Sequence, residues 1–460
     1  MLPGLNAFVT LRTMEQQKAI LKAAVQSLVN DYYDWELPDL RAREVPFREL
    51  KGKASVVIGM RRTGKTCFCL KRLQGLIADG MSRERTLYLS FENERLLGFK
   101  ANDFQTILDV YFARFPKNKR RKCYLILDEI QRIEGWESFA RRVVDHENIH
   151  LILTGSSAKL LSKEIATAFR GRSLTTEVFP LSFAEFLAWH NLVQSPPAAF
   201  SSAVIASLRN GIARYFDVGG FPEVQPCDSH TRNEILQSYI DTVLFRDMVE
   251  RYRIGNVTAL RFLIKAIMNA PGQKFSVSKF SNTLKTLGVK CSRNDLYLYL
   301  DYLADSFLVF RVPLHTHSVQ VQRVNPDKLY VIDTGLARSV ALSPDSGPGI
   351  LLENLVFLHL RRQGFDIEYL QTEDGYEVDF IARRRGMGGG CLIQVAYDLS
   401  NSQTHDRETH ALNSAVNTFK GLSKIIVTWD DETRVGDIRV LPVWKFLLLS
   451  EFDLLKTTNN

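Results

Sequence analysis

Cysteine is sparse: six residues are scattered over 460, and no two form a C-x-x-C unit. Cys67 and Cys69 make only a C-x-C. Such spacing speaks against zinc and against a disulfide framework, and a reduced cytoplasmic setting is expected. Long apolar runs are also missing. None approaches the roughly 18 residues that a membrane helix needs, so no membrane partner is expected. The N-terminal stretch Met1 to Phe8 lacks a basic start followed by an apolar segment, and no secretory leader is read there. Internal repeats and low-complexity tracts are absent. The remainder is ordinary globular composition, 45% hydrophobic and 24% charged, with length for roughly two to four domains.

The charge leans one way. A net charge of +8 and a pI near 9.1 suit an anionic partner, with basic residues gathered at Lys117–Lys122, Arg361-Arg362 and Arg383–Arg385.

The most informative segment is Gly59-Met-Arg61-Arg62-Thr63-Gly64-Lys65-Thr66, which follows the apolar run Ala54–Ile58 and precedes a helical pattern from Cys67 to Ala78. Strand, glycine loop and helix form the context in which this spacing binds nucleoside triphosphates. Gly59 and Gly64 admit dihedrals that let backbone N–H groups converge on phosphates, and the helix N-terminus adds a favourable dipole. The expected ATP-binding residues are Gly59, Arg61, Arg62, Thr63, Gly64, Lys65, Thr66 and Cys67. Lys65 supplies charge to the phosphates, and the Thr66 hydroxyl binds Mg2+.

About sixty residues on, the run Cys123-Tyr-Leu-Ile-Leu-Asp128-Glu129 ends in adjacent carboxylates. Asp128 is read as holding Mg2+ through water and Glu129 as polarising the attacking water, which makes hydrolysis the expected reaction. A third run, His150–Thr154, leads into Gly155-Ser156-Ser157. Thr154, Ser156 and Ser157 are equal candidates to sense the γ-phosphate. Arg170 and Arg172, flanking Gly171, are candidate arginine fingers, supplied in trans by a homo-oligomer.

Alternating strand and helix patterns from Ala54 to about Pro180 predict an α/β fold with a doubly wound parallel sheet. The organisation read from the chain is an N-terminal helical segment (1–45), the P-loop core (46–190), a helical lid region (191–270), a winged helix (271–325) and an α/β C-terminal domain (326–460). In the fourth segment a helix, a turn at Leu287-Gly288-Val289, a second helix and a strand give the helix-turn-helix pattern, with Arg293 and Asn294 opening the second helix. Tyr297, Tyr299 and Tyr302 make that helix aromatic, which also suits protein packing. Ser182 and Glu185 are read as a capping box, and Gly219-Gly220 as a backbone requirement. Arg246-Asp247 lies on a helical pattern from Tyr239 to Tyr252 that can return to the nucleotide, and a surface ion pair is the preferred reading over that one.

Taken together, the phosphate loop, Leu127-Asp128-Glu129-Ile-Gln131, Thr-Gly-Ser-Ser, Arg-Gly-Arg, Val-Gly-Gly-Phe-Pro-Glu, Leu-Glu353-Asn354 and Glu377-Val-Asp379-Phe resemble a prokaryotic ATPase family. That family combines an AAA+ core, a winged helix and a C-terminal domain of the PD-(D/E)XK nuclease, or restriction-endonuclease-like, type. The resemblance implies a DNA-directed ATPase. It also implies a nuclease-like site at Glu353, Asp379 and Gln394, but Ala396 stands where the nuclease pattern has lysine, so a degenerate site is expected. An ATP-gated DNA endonuclease taking its lysine from elsewhere, and a signalling or scaffold NTPase with a protein partner, are the alternatives.

Overall fold

The computed structural model describes residues 3–158, 169, 171–193, 200–341, 348–384, 386, 389–416 and 419–455. Packing divides the chain into two units. The first holds Met1–Met60 and Gly64–Val178, and the second holds Arg61–Thr63 and Phe179–Asn460.

The first unit is built on five strands: β1 (Ala54–Ile58), β2 (Thr86–Ser90), β3 (Cys123–Asp128), β4 (Ile149–Gly155) and β5 (Ser173–Glu177). They lie in the order β2-β3-β4-β1-β5, and every pairing is parallel. β1, β3 and β4 are buried along their whole length, which explains their unbroken apolar runs. Val57, Ile126 and Ile152 pack with Cys69, Leu70 and Leu73 of the helix Lys65–Ala78. The register pairs Leu127 with Leu153, and Leu153 with Val56. The ends of β1, β3 and β4 that carry the phosphate loop, the Asp-Glu pair and Thr154 are therefore level. The outer strand β2 is flanked by the helix Pro3–Asp34, whose Tyr32 and Tyr33 hydroxyls bond the Thr86 hydroxyl and carbonyl, each at 2.7 Å. An exposed sheet edge is thereby covered.

In the second unit the capping box forms as read, with Ser182 Oγ accepting the Glu185 N–H and Glu185 returning to the Ser182 N–H. Helices Ser202–Val218, Ser229–Thr242 and Val257–Asn269 follow, with a π-helical stretch at Val243–Glu250. The helices Val277–Thr286 and Arg293–Asp305 are joined through Gly288, whose φ of +74° a side chain would resist. β6 (Val309–Val312) then pairs antiparallel with β7 (Lys328–Val331). The last sheet is mixed. Its strands are β8 (Asp366–Gln371), β9 (Glu377–Arg383), β10 (Gly390–Val395), β11 (Ser423–Thr428), β12 (Thr433–Val435) and β13 (Ile438–Pro442), in the order β12-β13-β11-β10-β9-β8.

Gly219 and Gly220 answer to space as well as dihedral freedom. A Cβ on Gly219 would fall 2.1 Å from Asp333 Oδ1, and one on Gly220 would fall 2.4 Å from the Leu181 carbonyl oxygen. Asp333 Oδ2 accepts the Gly220 N–H at 2.7 Å, and Oδ1 accepts the N–H of Leu336 at 2.9 Å. Two sequence motifs more than a hundred residues apart thus meet at one buried carboxyl, whose pKa burial pushes up to about 6.

Candidate functional site

The phosphate loop leaves β1 at Gly59 (φ +147°), turns through Arg62 and Gly64 in the left-handed region (φ +68° and +93°), and enters the helix at Lys65. Glycine meets that geometry at two of the three positions, and Arg62 adopts it at a cost of about 1–3 kcal/mol. Lys65 is buried, with Nζ 2.9 Å from the Met60 carbonyl oxygen and 3.9 Å from Glu129 Oε1.

Three hydroxyls converge on Asp128. Thr66 Oγ1 lies 3.2 Å from both carboxylate oxygens, Tyr88 donates at 3.0 Å, and Thr154 donates to Oδ1. Burial raises the Asp128 pKa, the Thr154 bond opposes that rise, and the Glu129 charge adds to it. Glu129 follows in the left-handed region (φ +54°) and ends β3. Its N–H is accepted by Thr154 Oγ1 at 3.1 Å, and its Oε2 accepts from Ser156 Oγ at 3.0 Å and from the Gln131 amide. The three hydroxyl candidates therefore separate. Thr154 bridges the two acidic residues, Ser156 orients the Glu129 carboxylate, and Ser157 is buried beside them in sequence.

The remaining residues expected in this site divide. Arg61 belongs to the second unit, and within it its Nε lies 3.0 and 3.2 Å from the two oxygens of Asp247. Asp247 is buried and also meets Arg251 at 3.2 Å, which corrects the reading of Arg246-Asp247 as a surface pair. Arg62 is exposed and faces Glu223 at 3.5 Å. Thr63 is fully buried, and Cys67 is exposed beside Thr66. Arg170 lies outside the described residues. Arg172 pairs with Asp145 at 2.6 Å, and its carbonyl accepts the N–H of Ala54 at the start of β1. The strand separates Ala54 from the loop by about 16 Å, so Arg172 does not reach phosphates bound by its own chain.

The C-terminal carboxylates form a second cluster, within the second unit. Glu353, on the helix Pro348–Arg362, and Asp379, on β9, lie 3.0 and 2.8 Å from the ammonium of Lys328. Glu377 Oε1 is 2.7 Å from the same nitrogen. Burial works against the Lys328 charge, but Asp379, Glu353 and Glu377 together hold its pKa above the ordinary value. Gln394 is close but turned aside: its Oε1 accepts the Asp379 N–H at 2.7 Å. The residue missed from the sequence is Lys328. Its signal was weak, a lysine opening the apolar strand Leu329-Tyr-Val-Ile. Tyr88 left no local signal at all.

Residues 51–187 match the family described as AAA domain, and residues 209–346 and 348–446 match two domains of unknown function, DUF8612 and DUF4143. Uncharacterized protein MJ1544 of Methanocaldococcus jannaschii is 35% identical over 421 residues, 88% of this chain and 90% of that one. An uncharacterized protein of Haemophilus influenzae is 29% identical over 396 residues, 85% of this chain and 94% of that one. Among solved structures, the Walker-type ATPase PABY2304 of Pyrococcus abyssi overlays with a TM-score of 0.39 at 13% identity, covering 69% of this chain and 94% of that chain. An overlay that loose carries no functional weight. Identity at the first level, along nearly all of both chains, shows that this protein belongs to the family of the Methanocaldococcus jannaschii protein, and its N-terminal half carries the AAA domain of a P-loop ATPase.

Proposed function

We propose that the protein is an Mg2+-dependent ATPase that acts on DNA. The observation that carries the hydrolytic part is the meeting of Thr66, Lys65, Asp128 and Glu129 at one end of the parallel sheet. The donor set suits a hard cation: a hydroxyl beside a carboxylate whose charge burial disfavours, at the mouth of a phosphate loop. Thr66 and Asp128 would hold Mg2+, which supplies charge neutralisation on the phosphates. The chain's own groups do the rest. The loop N–H groups and Lys65 bind and orient the triphosphate. Glu129, fixed by Thr154, Ser156 and Gln131, takes up the proton of the attacking water. Arg170 and Arg172 enter as fingers in trans, from a second copy.

DNA is assigned to the helix pair Val277–Thr286 and Arg293–Asp305 with its β6–β7 hairpin, which we read as a winged helix. Lys279, Lys285, Lys290 and Arg293 are all exposed around that pair, in a chain of net charge +8. The C-terminal mixed sheet, with Glu353 and Asp379 brought together beside it, supports a nuclease-like fold for that domain. A second reading, an NTPase with a protein partner, draws on the same helix. Tyr297 and Leu298 are 49% and 46% exposed on it, and Tyr297 and Asp301 line an open groove of about 610 Å3 with Arg311 and Val324.

Steady-state ATP hydrolysis, without nucleic acid and then with single-stranded, duplex and branched DNA, separates the two, with Lys65→Ala as the blank. Stimulation that weakens as salt rises is the expected result. Turnover abolished by Lys65→Ala but indifferent to every DNA form would move the assignment to the protein-partnered reading.

A further inference from the structure

A nuclease-like domain implies a divalent cation at Glu353 and Asp379, and the residues gathered there do not fit one. Mg2+ takes six oxygen ligands at about 2.0–2.1 Å and keeps several waters among them. The centre of this cluster is instead the Lys328 ammonium. It has three N–H donors, and three carboxylate oxygens receive them: Asp379 Oδ1 at 2.8 Å, Glu377 Oε1 at 2.7 Å and Glu353 Oε1 at 3.0 Å. These are ordinary lengths for charge-assisted hydrogen bonds.

The surrounding groups complete the closure. Glu353 Oε1 also accepts the Tyr330 hydroxyl at 2.6 Å, Asp379 Oδ2 accepts the Val395 N–H at 3.0 Å, and Glu377 Oε2 meets Lys274 at 2.5 Å. Gln394, the third ligand expected from the sequence, spends its oxygen on the Asp379 N–H and its amide protons on the Glu377 carbonyl and Glu408. On the far side of Glu353 the backbone of Gly272 approaches so closely that a Cβ there would sit 3.3 Å from the carboxyl. Lys328 itself is 4% exposed. Among the described residues, no group of three His, Cys, Asp or Glu is arranged to hold a metal ion.

We infer that the Lys328 ammonium stands in place of the divalent cation, so that the C-terminal domain is a metal-independent module that does not cleave nucleic acid. The cluster then has a different task. Lys328 comes from β7, which pairs with β6 of the helix-turn-helix module, while Glu353, Glu377 and Asp379 come from the C-terminal helix and sheet. The buried ion cluster fastens β7 to the C-terminal sheet, and truncating the lysine removes the ammonium shared by three carboxylates, leaving Lys274 beside Glu377 alone.

The test is Mn2+ binding to the full-length chain, read by electron paramagnetic resonance of free Mn2+, with melting followed in parallel. Wild type, Asp379→Asn, Lys328→Met and the double variant are compared, so that any ion held at the phosphate loop cancels. Wild type and Asp379→Asn are expected to bind Mn2+ equally. Lys328→Met is expected to melt lower, to gain about one further Mn2+ per chain as carboxylates regain a counter-charge, and to lose that gain in the double variant. A Lys328→Met chain that folds without metal and gains no Mn2+ overturns the inference. So does wild-type Mn2+ binding, or Mn2+-dependent plasmid nicking, that Asp379→Asn removes; Lys328 would then be the lysine of a working nuclease. Should Lys328→Met fail to fold in EDTA, cooperative melting restored by Mn2+ supports the substitution. If Mn2+ does not restore it, the wild-type and Asp379→Asn comparison decides in the same two directions.

Discussion

Thr154→Val is the substitution on which the hydrolytic site turns. The side chain is fully buried, and valine matches its shape, so the change removes one hydroxyl and little else. That hydroxyl donates to Asp128 and accepts the N–H of Glu129 at 3.1 Å. A hydrogen bond to a charged group contributes about 1.5–3 kcal/mol, and a buried N–H left without a partner costs about 1–3 kcal/mol. Together they place the loss of unfolding free energy at about 2.5–6 kcal/mol. The catalytic consequence follows from backbone geometry. Glu129 is held at φ +54°, a conformation that costs a residue other than glycine about 1–3 kcal/mol. Without the Thr154 anchor the residue relaxes and its carboxylate moves. A misplacement of about 1 Å lowers turnover roughly a hundredfold. Steady-state ATP hydrolysis should therefore show kcat reduced by about two orders of magnitude. Nucleotide affinity, set by the loop and Lys65, should change far less. Thr154→Ser keeps the hydroxyl and should stay within about threefold of wild type. Equal turnover in Thr154→Val and wild type would refute the reasoning. So would an equal defect in Thr154→Ser, which would make the methyl group, not the hydroxyl, the contributor.

Two further outcomes are expected. Asp247→Ala removes the carboxylate shared by Arg61 and Arg251 and leaves two partly buried guanidinium groups beside each other. Urea unfolding should report a loss of about 3 kcal/mol, at the low end for a broken buried pair because both arginines retain some solvent contact. Asp333 has a folded pKa of about 6 against an ordinary value of 3.8. Its contribution to stability is therefore complete below the unfolded value and is lost as pH rises through about 6. The difference in unfolding free energy between wild type and Asp333→Asn should fall by about 2.4 kcal/mol from pH 4 to pH 7. Parallel pH curves for the two proteins would contradict that sign.

Much of the P-loop core was legible in the sequence because its information is local. Apolar runs marked the buried strands β1, β3 and β4, since both faces of a central parallel strand must be apolar. The glycines and Lys65-Thr66 marked the loop, because phosphate binding there depends on consecutive backbone positions. The capping box at Ser182 and Glu185 was legible for the same reason, with both partners inside one helical turn. Asp128 and Glu129 could be named as a pair because they are adjacent at a strand end.

The tertiary structure decided whatever depended on register and long-range approach. Thr154, Ser156 and Ser157 are indistinguishable as letters; the alignment of β4 with β3 put the Thr154 hydroxyl between Asp128 and Glu129 and the Ser156 hydroxyl on the Glu129 carboxylate. The Arg61 guanidinium, inside the phosphate loop, is taken up by Asp247, far along the chain. The pairing of β5 with β1 put Arg172 beside Asp145, at the end of the sheet away from its own chain's phosphate loop. The missing lysine of the nuclease pattern was sought at Ala396. The ammonium that meets Glu353 and Asp379 is that of Lys328, on a strand paired with β6 and not with the sheet that carries Asp379. Sequence determined which chemical groups this protein owns and the local geometry that short range imposes on them. Which groups neutralise one another was fixed by folding, because Coulomb and hydrogen-bond energies depend on separation in space and not on separation along the chain.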